Sequence, residues 1–266
     1  MNKAFWLVIV VFGVFLPTTY AFAAPTHVTS GSFDITLPAD NSAVDSTFDS
    51  GSTGSNRFMI IHVTYRNASA HVIPDNGVIY AGVTATPFGA EVISANAYSK
   101  TFYIIAPATG SNTLRVDPTT GVGVQAAAVS AYIYESVDQT TPFDGYVTNT
   151  GVDDTGELTV ASAVGDTPIF LMGWRGGGAT GGTPSNYTER VDNIFGTGAN
   201  ITLGGEGTGA ASINFVGTVD GEFSNVGWVT MGMNLNNVSV GVARRGLFRA
   251  FNNFSLIRNG FLRIGR

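Results

Sequence analysis

The stretch Val122–Tyr134, VGVQAAAVSAYIY, decides the fold class. It consists mainly of Ala, Val, Ile and Tyr and carries little polarity. A short apolar run of this kind is typical of a strand whose two faces are both buried. The stretch therefore predicts a central β-strand.

Similar runs follow one another through the body of the chain, and Gly, Asn, Asp, Ser or Pro separate them. No segment of the body shows convincing helical periodicity, and no tandem repeat is visible. Many short strands at near-regular spacing predict an all-β fold, which we expect to be a two-sheet antiparallel β-sandwich, jelly-roll-like. The other predicted strands are 57–65, 72–81, 101–106, 112–116, 157–162, 168–174, 187–191, 199–203, 211–216 and 226–235.

Composition narrows the function classes. The chain has 266 residues, which is routine for one sandwich or barrel domain. There is no Cys, so disulfides, thiolate metal sites and a Cys nucleophile are excluded. Only 12% of residues are charged, whereas 44% are hydrophobic, enough to bury a sizeable core. A chain of this composition is neither disordered nor collagen-like.

The N-terminal segment 1–23 resembles a secretory signal peptide. Lys3 is followed by the apolar run Ala4–Leu16, and Ala21–Ala23 has the small-x-small form of a signal peptidase site. Thirteen apolar residues rise only about 20 Å as a helix, short of the roughly 30 Å hydrocarbon core. We therefore expect cleavage before Ala24 and a secreted, extracellular or cell-surface protein. An uncleaved membrane anchor is the alternative.

The charges divide the rest of the chain into two parts. Residues 24–243 hold six Lys or Arg and all nineteen Asp or Glu, whereas residues 244–266 hold six Arg and no acid. We expect a β-sandwich domain over residues 24–237 and a basic amphipathic or disordered tail over residues 238–266. Such asymmetry suggests a separate role for the tail.

The tail mixes Arg with Phe, Leu and Ile. A basic amphipathic helix can lie on an anionic membrane or dock on the acidic body of a neighbouring subunit, and a disordered end is the alternative. Nucleic-acid binding is not expected, because the body is acidic and export is predicted. The tail residues predicted to make contact or to anchor are Arg244, Arg245, Phe248, Arg249, Phe251 and Arg258.

A ligand platform is predicted around the Gly-rich segment 173–182. This segment lacks the Lys and the following helix of a phosphate loop, so it predicts a loop between strands. Trp174 and Arg175 at its edge, with Tyr187 after it, can form a site in which an aromatic ring stacks on a sugar and Arg donates to hydroxyls or carboxylates. The alternative is that Trp174 ends a strand inside the core.

Metal and catalytic sites find little support. His27 lies in the irregular start of the mature chain. The apolar surroundings of His62 indicate a satisfied core or edge histidine. The spacing of these two residues and His71 is not that of zinc ligands. No cofactor is expected, and structural Ca²⁺ held by loop Asp residues is the alternative. Glu189, Glu206 and Glu222 are the candidates for a pair of acids that cleaves a glycoside, and solvated loop acids are the alternative.

Several segments, in order, resemble an uncharacterised family of β-sandwich modules found in bacterial secreted and surface proteins and in phage-associated proteins. The resemblance covers roughly residues 33–235, has no catalytic residues to carry over, and implies a binding or structural module. The matching segments are Gly54–Arg57 with Phe58–Val63, Ile105–Gly110, Ser136–Pro142, Gly181–Pro184, Thr188–Arg190 and Gly227–Met233.

Three functions follow from these observations. The first is an exported, non-catalytic structural or adhesive surface protein that self-associates or contacts a surface glycan. Membrane contact is then expected only through the tail. The second is a stand-alone carbohydrate-binding module, and the third is a glycan-directed hydrolase. Fold alone does not decide among them.

Overall fold

The structure is a computed structural model that describes residues 23–66, 71–123, 125–176, 179–195, 200–209, 212–221 and 227–238. Predictions on the N-terminal segment up to residue 22 and on the tail beyond residue 238 lie outside the described residues. The described residues fall within one compact unit, Phe22–Ser239. No helix among them has the length and apolar character needed to cross a membrane.

The described residues form eighteen strands and no helix. We call β1–β10 the first half and β11–β18 the second half. The strands are β1 (Thr26–Leu37), β2 (Val44–Asp49), β3 (Phe58–Arg66), β4 (Val78–Tyr80), β5 (Val83–Thr84), β6 (Thr86–Pro87), β7 (Val92–Ser94), β8 (Ala97–Ile105), β9 (Ser111–Val116), β10 (Gln125–Glu135), β11 (Phe143–Gly151), β12 (Thr155–Ala161), β13 (Thr167–Arg175), β14 (Ala179–Ser185), β15 (Thr188–Phe195), β16 (Asn200–Glu206), β17 (Ser212–Gly221) and β18 (Gly227–Leu235).

These strands pair antiparallel in four sheets. Outer sheet 1 has the order β2-β9-β4-β5, and central sheet 1 has the order β1-β10-β3-β8-β6, with β7 also on β8. Central sheet 2 has the order β11-β18-β13-β16-β15, and outer sheet 2 has the order β12-β17-β14. The all-β prediction is confirmed, whereas the expected single pair of sheets is replaced by four sheets.

Successive side chains of a strand point to opposite faces of its sheet, so one strand can pack against two neighbouring sheets. In β3, Met59 and Ile61 pack in a core with Leu114 of outer sheet 1. Phe58 and Ile60, on the opposite face of the same strand, pack in a second core with residues of central sheet 2. A third core joins the far face of central sheet 2 to outer sheet 2. The order of layers is therefore outer sheet 1, central sheet 1, central sheet 2, outer sheet 2.

This stacking explains the apolar runs of the sequence. β10 lies between β1 and β3, and every residue from Ala127 to Tyr134 is buried. The prediction of a central strand buried on both faces is confirmed, although the strand begins at Gln125 and Val122 is 85% exposed. β3, β13 and β18 are buried on both faces in the same way. A two-sheet sandwich would have left one face of each strand in water.

The two halves repeat one strand order although the sequence shows no repeat. In central sheet 1 the order β1-β10-β3-β8 corresponds to β11-β18-β13-β16 in central sheet 2, and β2-β9-β4 corresponds to β12-β17-β14 in the outer sheets. Exchange of the halves also preserves their contacts, since β1 contacts β15 at one edge and β11 contacts β7 at the other. The halves thus pack like the two subunits of an isologous dimer.

The central sheets pack closely at Gly173 of β13. A Cβ at this position would clash with Ser99 Oγ and stand 2.6 Å from Thr64 Cγ2, too close for a real side chain. The absence of a side chain here makes room for these two side chains of central sheet 1 against the backbone of central sheet 2. The prediction of a loop over residues 173–182 is wrong for most of this segment, because Gly173–Arg175 end β13 and Ala179–Ser185 form β14.

Candidate functional site

The stacked central sheets meet along two edges, which we call the aromatic seam and the polar seam. At the aromatic seam β7 contacts β11, and Ser94 Oγ donates to the carbonyl of Gly151 at 2.7 Å. At the polar seam β1 contacts β15, and Ser30 Oγ donates to the carbonyl of Arg190 at 3.0 Å. The repeated strand order makes the two seams topologically equivalent.

Five rings fill the aromatic seam. Phe88 lies 4.6 Å from Phe143, 4.8 Å from Tyr103 and 5.5 Å from Tyr146 between ring centroids. Phe58 adds a ring stacked 5.5 Å from Tyr103. Edge-to-face and offset contacts at these separations stabilise a core beyond the area they bury. The aromatic seam is therefore a closed hydrophobic junction.

The polar seam holds His27 of β1, Tyr134 of β10, Arg190 of β15 and Glu206 of β16. Arg190 donates to Glu206 Oε1 through Nε at 3.0 Å and through Nη2 at 2.5 Å. The ring of His27 meets that of Tyr134 edge-on at 5.6 Å. Four strands from both halves thus bring one acid, one base, one imidazole and one phenol together.

Burial controls the protonation of this group. Burial lowers the pKa of the His27 imidazole, the Glu206 carboxylate partly opposes that shift, and the Arg190 guanidinium adds to it. Burial also raises the pKa of Tyr134, and the neighbouring carboxylate of Glu206 raises it further. The hydrogen bond that Arg190 donates to Glu206 raises the pKa of Arg190. The seam therefore holds a neutral imidazole and phenol beside an ion pair.

Three buried polar atoms of the seam have no hydrogen-bond partner among the described residues: His27 Nε2, the Tyr134 hydroxyl and Glu206 Oε2. Glu206 lies beside Tyr134 and raises its pKa, but the two side chains do not reach good hydrogen-bond geometry. An unsatisfied buried polar group costs about 1–3 kcal/mol. Such atoms are rare in native proteins, and a cluster of them marks a special site.

A cleft of about 320 Å³ opens over the polar seam. His27, Arg190 and Glu206 line it together with hydroxyl side chains such as Thr188 and Thr208. Asp166 also lines the cleft, and its carboxylate accepts hydrogen bonds from Asn234 Nδ2 at 3.0 Å and from the backbone N–H of Asn237 at 3.4 Å. The lining of the cleft therefore contains both hydrogen-bond donors and hydrogen-bond acceptors.

The predicted ligand platform takes a different form in the structure. Trp174 is fully buried, and its indole N–H donates to the backbone carbonyl of Asp153 at 3.4 Å. Tyr187 is half-buried and packs 5.1 Å from Phe170, near the other end of β13. Four residues of strand separate Phe170 from Trp174, or about 13 Å. The structure therefore does not bring Trp174 and Tyr187 together, and Trp174 ends a strand in the core.

Arg175, the last residue of β13, is half-buried. Burial lowers the pKa of its guanidinium, and the positive charge of Arg66 adds to the shift. Its predicted role in ligand contact stays a prediction. The predicted tail contacts lie outside the described residues; they are Arg244, Arg245, Phe248, Arg249, Phe251 and Arg258.

The histidines and acids are distributed as follows. His62 is a satisfied core histidine, as the sequence predicts, with hydrogen bonds to Thr101 and Thr64. The expectation of an irregular segment around His27 is wrong, because this residue lies within β1. Of the acids considered for glycoside cleavage, Glu189 is exposed, Glu206 is bound to Arg190, and Glu222 lies outside the described residues.

Metal binding by side chains gains no support from the described ranges. No three His, Cys, Asp or Glu side chains within them stand close enough together to hold an ion. The Ca²⁺ alternative stays a prediction, since loop carbonyls can also serve as ligands.

Sequence reasoning named Glu206 as a candidate acid but missed its partners. Arg190 enters the sequence analysis only within the segment Thr188–Arg190 of the family resemblance. The pairing of Arg190 with Glu206 follows from the β15–β16 hairpin, in which Thr188 lies opposite Glu206. His27 and Tyr134 lie opposite each other in the β1–β10 pair of central sheet 1. Their approach to Arg190 and Glu206 follows from the contact of β1 with β15 of the other half, for which the sequence carries no local signal.

Comparison of the chain with protein-family models gives no match, and comparison with curated proteins gives none. The function is therefore argued from the fold and the seams.

Proposed function

We propose that the chain is an exported, non-catalytic structural or adhesive surface protein. Export is supported by the apolar run Ala4–Leu16 and the Ala21–Ala23 site in the sequence. We further propose that each half is a jelly-roll-like sandwich. The strand orders β1-β10-β3-β8 and β2-β9-β4-β5 support this for the first half.

The observation that carries the proposal is the four-layer stack. The inner strands of both central sheets are buried on both faces, and the second core, which lies between these sheets, is shared by the two halves and joins them in one block. A shared core of this kind resists hinge motion between domains, which small and polar interdomain interfaces permit. A block without a hinge suits a load-bearing or spacing role.

The outward faces of the block are polar and weakly charged. On outer sheet 2, Thr159 Oγ1 donates to Asn214 Oδ1 across neighbouring strands at 3.2 Å. On outer sheet 1, Thr47 lies opposite Thr113 and Asp45 lies opposite Arg115. Thr, Ser and Asn side chains on a flat sheet can make hydrogen bonds to a second protein surface at little desolvation cost, as rims and wet interfaces do. These faces support contact between copies.

The tail supplies the second element of the proposal. The body of residues 24–243 carries a net charge of −13, and the tail of residues 244–266 carries +6. Opposite charges of this size attract a tail to the body of a neighbouring copy and speed its docking. Self-association through the tail is therefore the proposed route to assembly.

The solution mass of residues 24–266 and of residues 24–243, measured by light scattering, tests this route. We expect the longer chain to form defined oligomers or filaments and the shorter chain to stay monomeric. The oligomers should weaken as salt is raised, because screening shortens the reach of surface charges to about 8 Å at physiological ionic strength. Monomers of both chains at low salt would refute assembly through the tail.

A further inference from the structure

The two seams are equivalent in topology but opposite in chemistry. Each is formed where an edge strand of one central sheet crosses the edge of the other. Five rings close the aromatic seam, among them Phe88 and Phe143. The polar seam has an ion pair, a phenol, an imidazole and an open cleft in the corresponding place. Packed aromatic rings are sufficient to stabilise a junction between the two halves. The charged and polar residues of the polar seam therefore require a different explanation.

We propose that the polar seam is a binding site for a neutral, hydroxyl-rich ligand of about the size of one pyranose sugar. This site is independent of the proposed assembly through the tail. Its volume of about 320 Å³ lies at the lower end of ligand pockets, which span about 300–1,000 Å³. A small ligand therefore fits, and a long chain does not fit whole.

Charge selects a neutral ligand. Arg190 is the one cationic side chain among the described residues that line the cleft, and Glu206 already neutralises it through two hydrogen bonds. Asp166 adds a negative charge, and the α-amino group of Ala24, which cleavage before this residue exposes at the same cleft, balances it. No three metal-ligating side chains cluster in the described part of the chain. The lining of the cleft therefore carries no net charge that would favour a free anion or a free cation.

Hydrogen bonding selects hydroxyl groups. A carboxylate accepts, a guanidinium donates, and Thr hydroxyls do both, so a lining of Glu206, Arg190 and Thr188 matches groups that donate and accept in turn. Sugar hydroxyls have this property. Both a free sugar and the terminal residue of a surface glycan carry this chemistry.

The test uses residues 24–266 and ligand-observed NMR with methyl glycosides of glucose, galactose, mannose and N-acetylglucosamine. We expect saturable binding of at least one glycoside, with a Kd of about 1–10 mM, as suits so small a ligand. Sodium phosphate and methylammonium, probed in the same way, should not saturate. Failure of every glycoside to bind, or saturation by a charged probe alone, would overturn the proposal.

Three variants, one of them a control, locate the binding site. Thr208→Trp adds bulk at an exposed position of the cleft rim and should weaken binding at least tenfold. Thr159→Trp adds the same bulk to the exposed face of outer sheet 2 and should leave the Kd unchanged. Thr188→Val removes one lining hydroxyl with little change of shape, and should weaken binding about two- to tenfold. An equal Kd of the glycoside for all three variants would mean that the ligand binds outside the polar seam, and would contradict the proposal.

Beads that carry the same sugar as a chain end separate the two sources. Retention of the protein on such beads indicates that a glycan terminus enters the cleft, and binding of the methyl glycoside without retention indicates a free sugar. Unchanged urea unfolding midpoints of the three variants ensure that weaker binding reports on the cleft.

Discussion

Replacement of Trp174 by alanine should lower the free energy of unfolding by about 3–5 kcal/mol, the cost of removing a large aromatic side chain from a core. The indole is fully buried and packs in the core between central sheet 2 and outer sheet 2, opposite Trp228 of the neighbouring strand. Its N–H also satisfies the carbonyl of Asp153. The loss combines a cavity with an orphaned acceptor.

Urea unfolding followed by far-UV circular dichroism measures this effect. Arg175→Ala is the matched control, because Arg175 is the next residue along the strand, is half-buried and makes none of the core contacts of the indole. We expect a change within about 0.5 kcal/mol for the control. An unchanged unfolding midpoint for Trp174→Ala would place the indole at the surface, as a sugar platform requires, and would contradict the third core.

Acid should destabilise the protein through His62, and His62→Gln should remove the part of the loss that this residue causes. His62 is fully buried between the central sheets; Thr101 Oγ1 lies 3.0 Å from Nδ1, and Thr64 Oγ1 lies 2.8 Å from Nε2. Burial lowers the pKa of His62 to about 3 from an ordinary value of 6.5. The folded protein therefore excludes a proton that the unfolded chain binds.

The sign of the effect follows from linkage. Between pH 6.5 and about pH 3 the unfolded state holds more protons, so the free energy of unfolding falls as pH falls through this window. Each pKa unit contributes about 1.36 kcal/mol, so the loss from pH 7.5 to pH 4 is about 3 kcal/mol from this residue. Above pH 6.5 the imidazole is neutral in both states, and no change with pH is expected from it.

The comparison of wild type with His62→Gln at both pH values isolates this residue. The difference at pH 7.5 gives the packing cost of the substitution, and the change in that difference at pH 4 gives the proton effect. His27 and His71, whose pKa values are also lowered by burial, contribute equally to both proteins. A difference that does not change between the two pH values would mean that His62 is accessible to protons, and thus that the central sheets do not cover it.

The sequence predicted the inner strands well because their chemistry is extreme. Runs such as 57–65, 168–174 and 226–235 correspond to β3, β13 and β18 within a residue or two. The missed strands are β1, β2, β5, β6, β7, β11 and β14. They lie at sheet edges, where half-exposed Thr, Ser, Asp and Gly residues are tolerated and the alternation of polar and apolar side chains is weak.

The number of sheets was not predictable in the same way. A run that is apolar on both faces, as in β10, indicates that both faces of the strand are covered, but it does not indicate which sheet covers each face. A second sheet of the same half and a sheet of the other half produce the same sequence pattern. The repeated strand order also left no trace in the residues, because many unrelated side chains fill equivalent positions of a sandwich.

The polar seam illustrates the limit for sites. Its hydrogen bond between Ser30 and Arg190 joins residues 160 positions apart. Arg190 and Glu206 are ordinary polar residues of a hairpin until the other half covers them. The aromatic seam was equally hidden, since Phe88 and Phe143 stand in separate, short and partly polar segments. The residues of each seam come together only when the two central sheets stack.

The measurement that tests the stacking most directly is a crosslink across the polar seam. Asp34 of β1 accepts a hydrogen bond from Asn193 Nδ2 of β15 at 2.9 Å, and the chain contains no Cys. We expect a protein with Asp34→Cys and Asn193→Cys to form an intramolecular crosslink with a short bismaleimide, detected by peptide mass spectrometry. The control pair, Asp34→Cys with Thr159→Cys on outer sheet 2, should not crosslink. Equal crosslinking of both pairs, or none at 34 and 193, would contradict the face-to-face packing of the two halves.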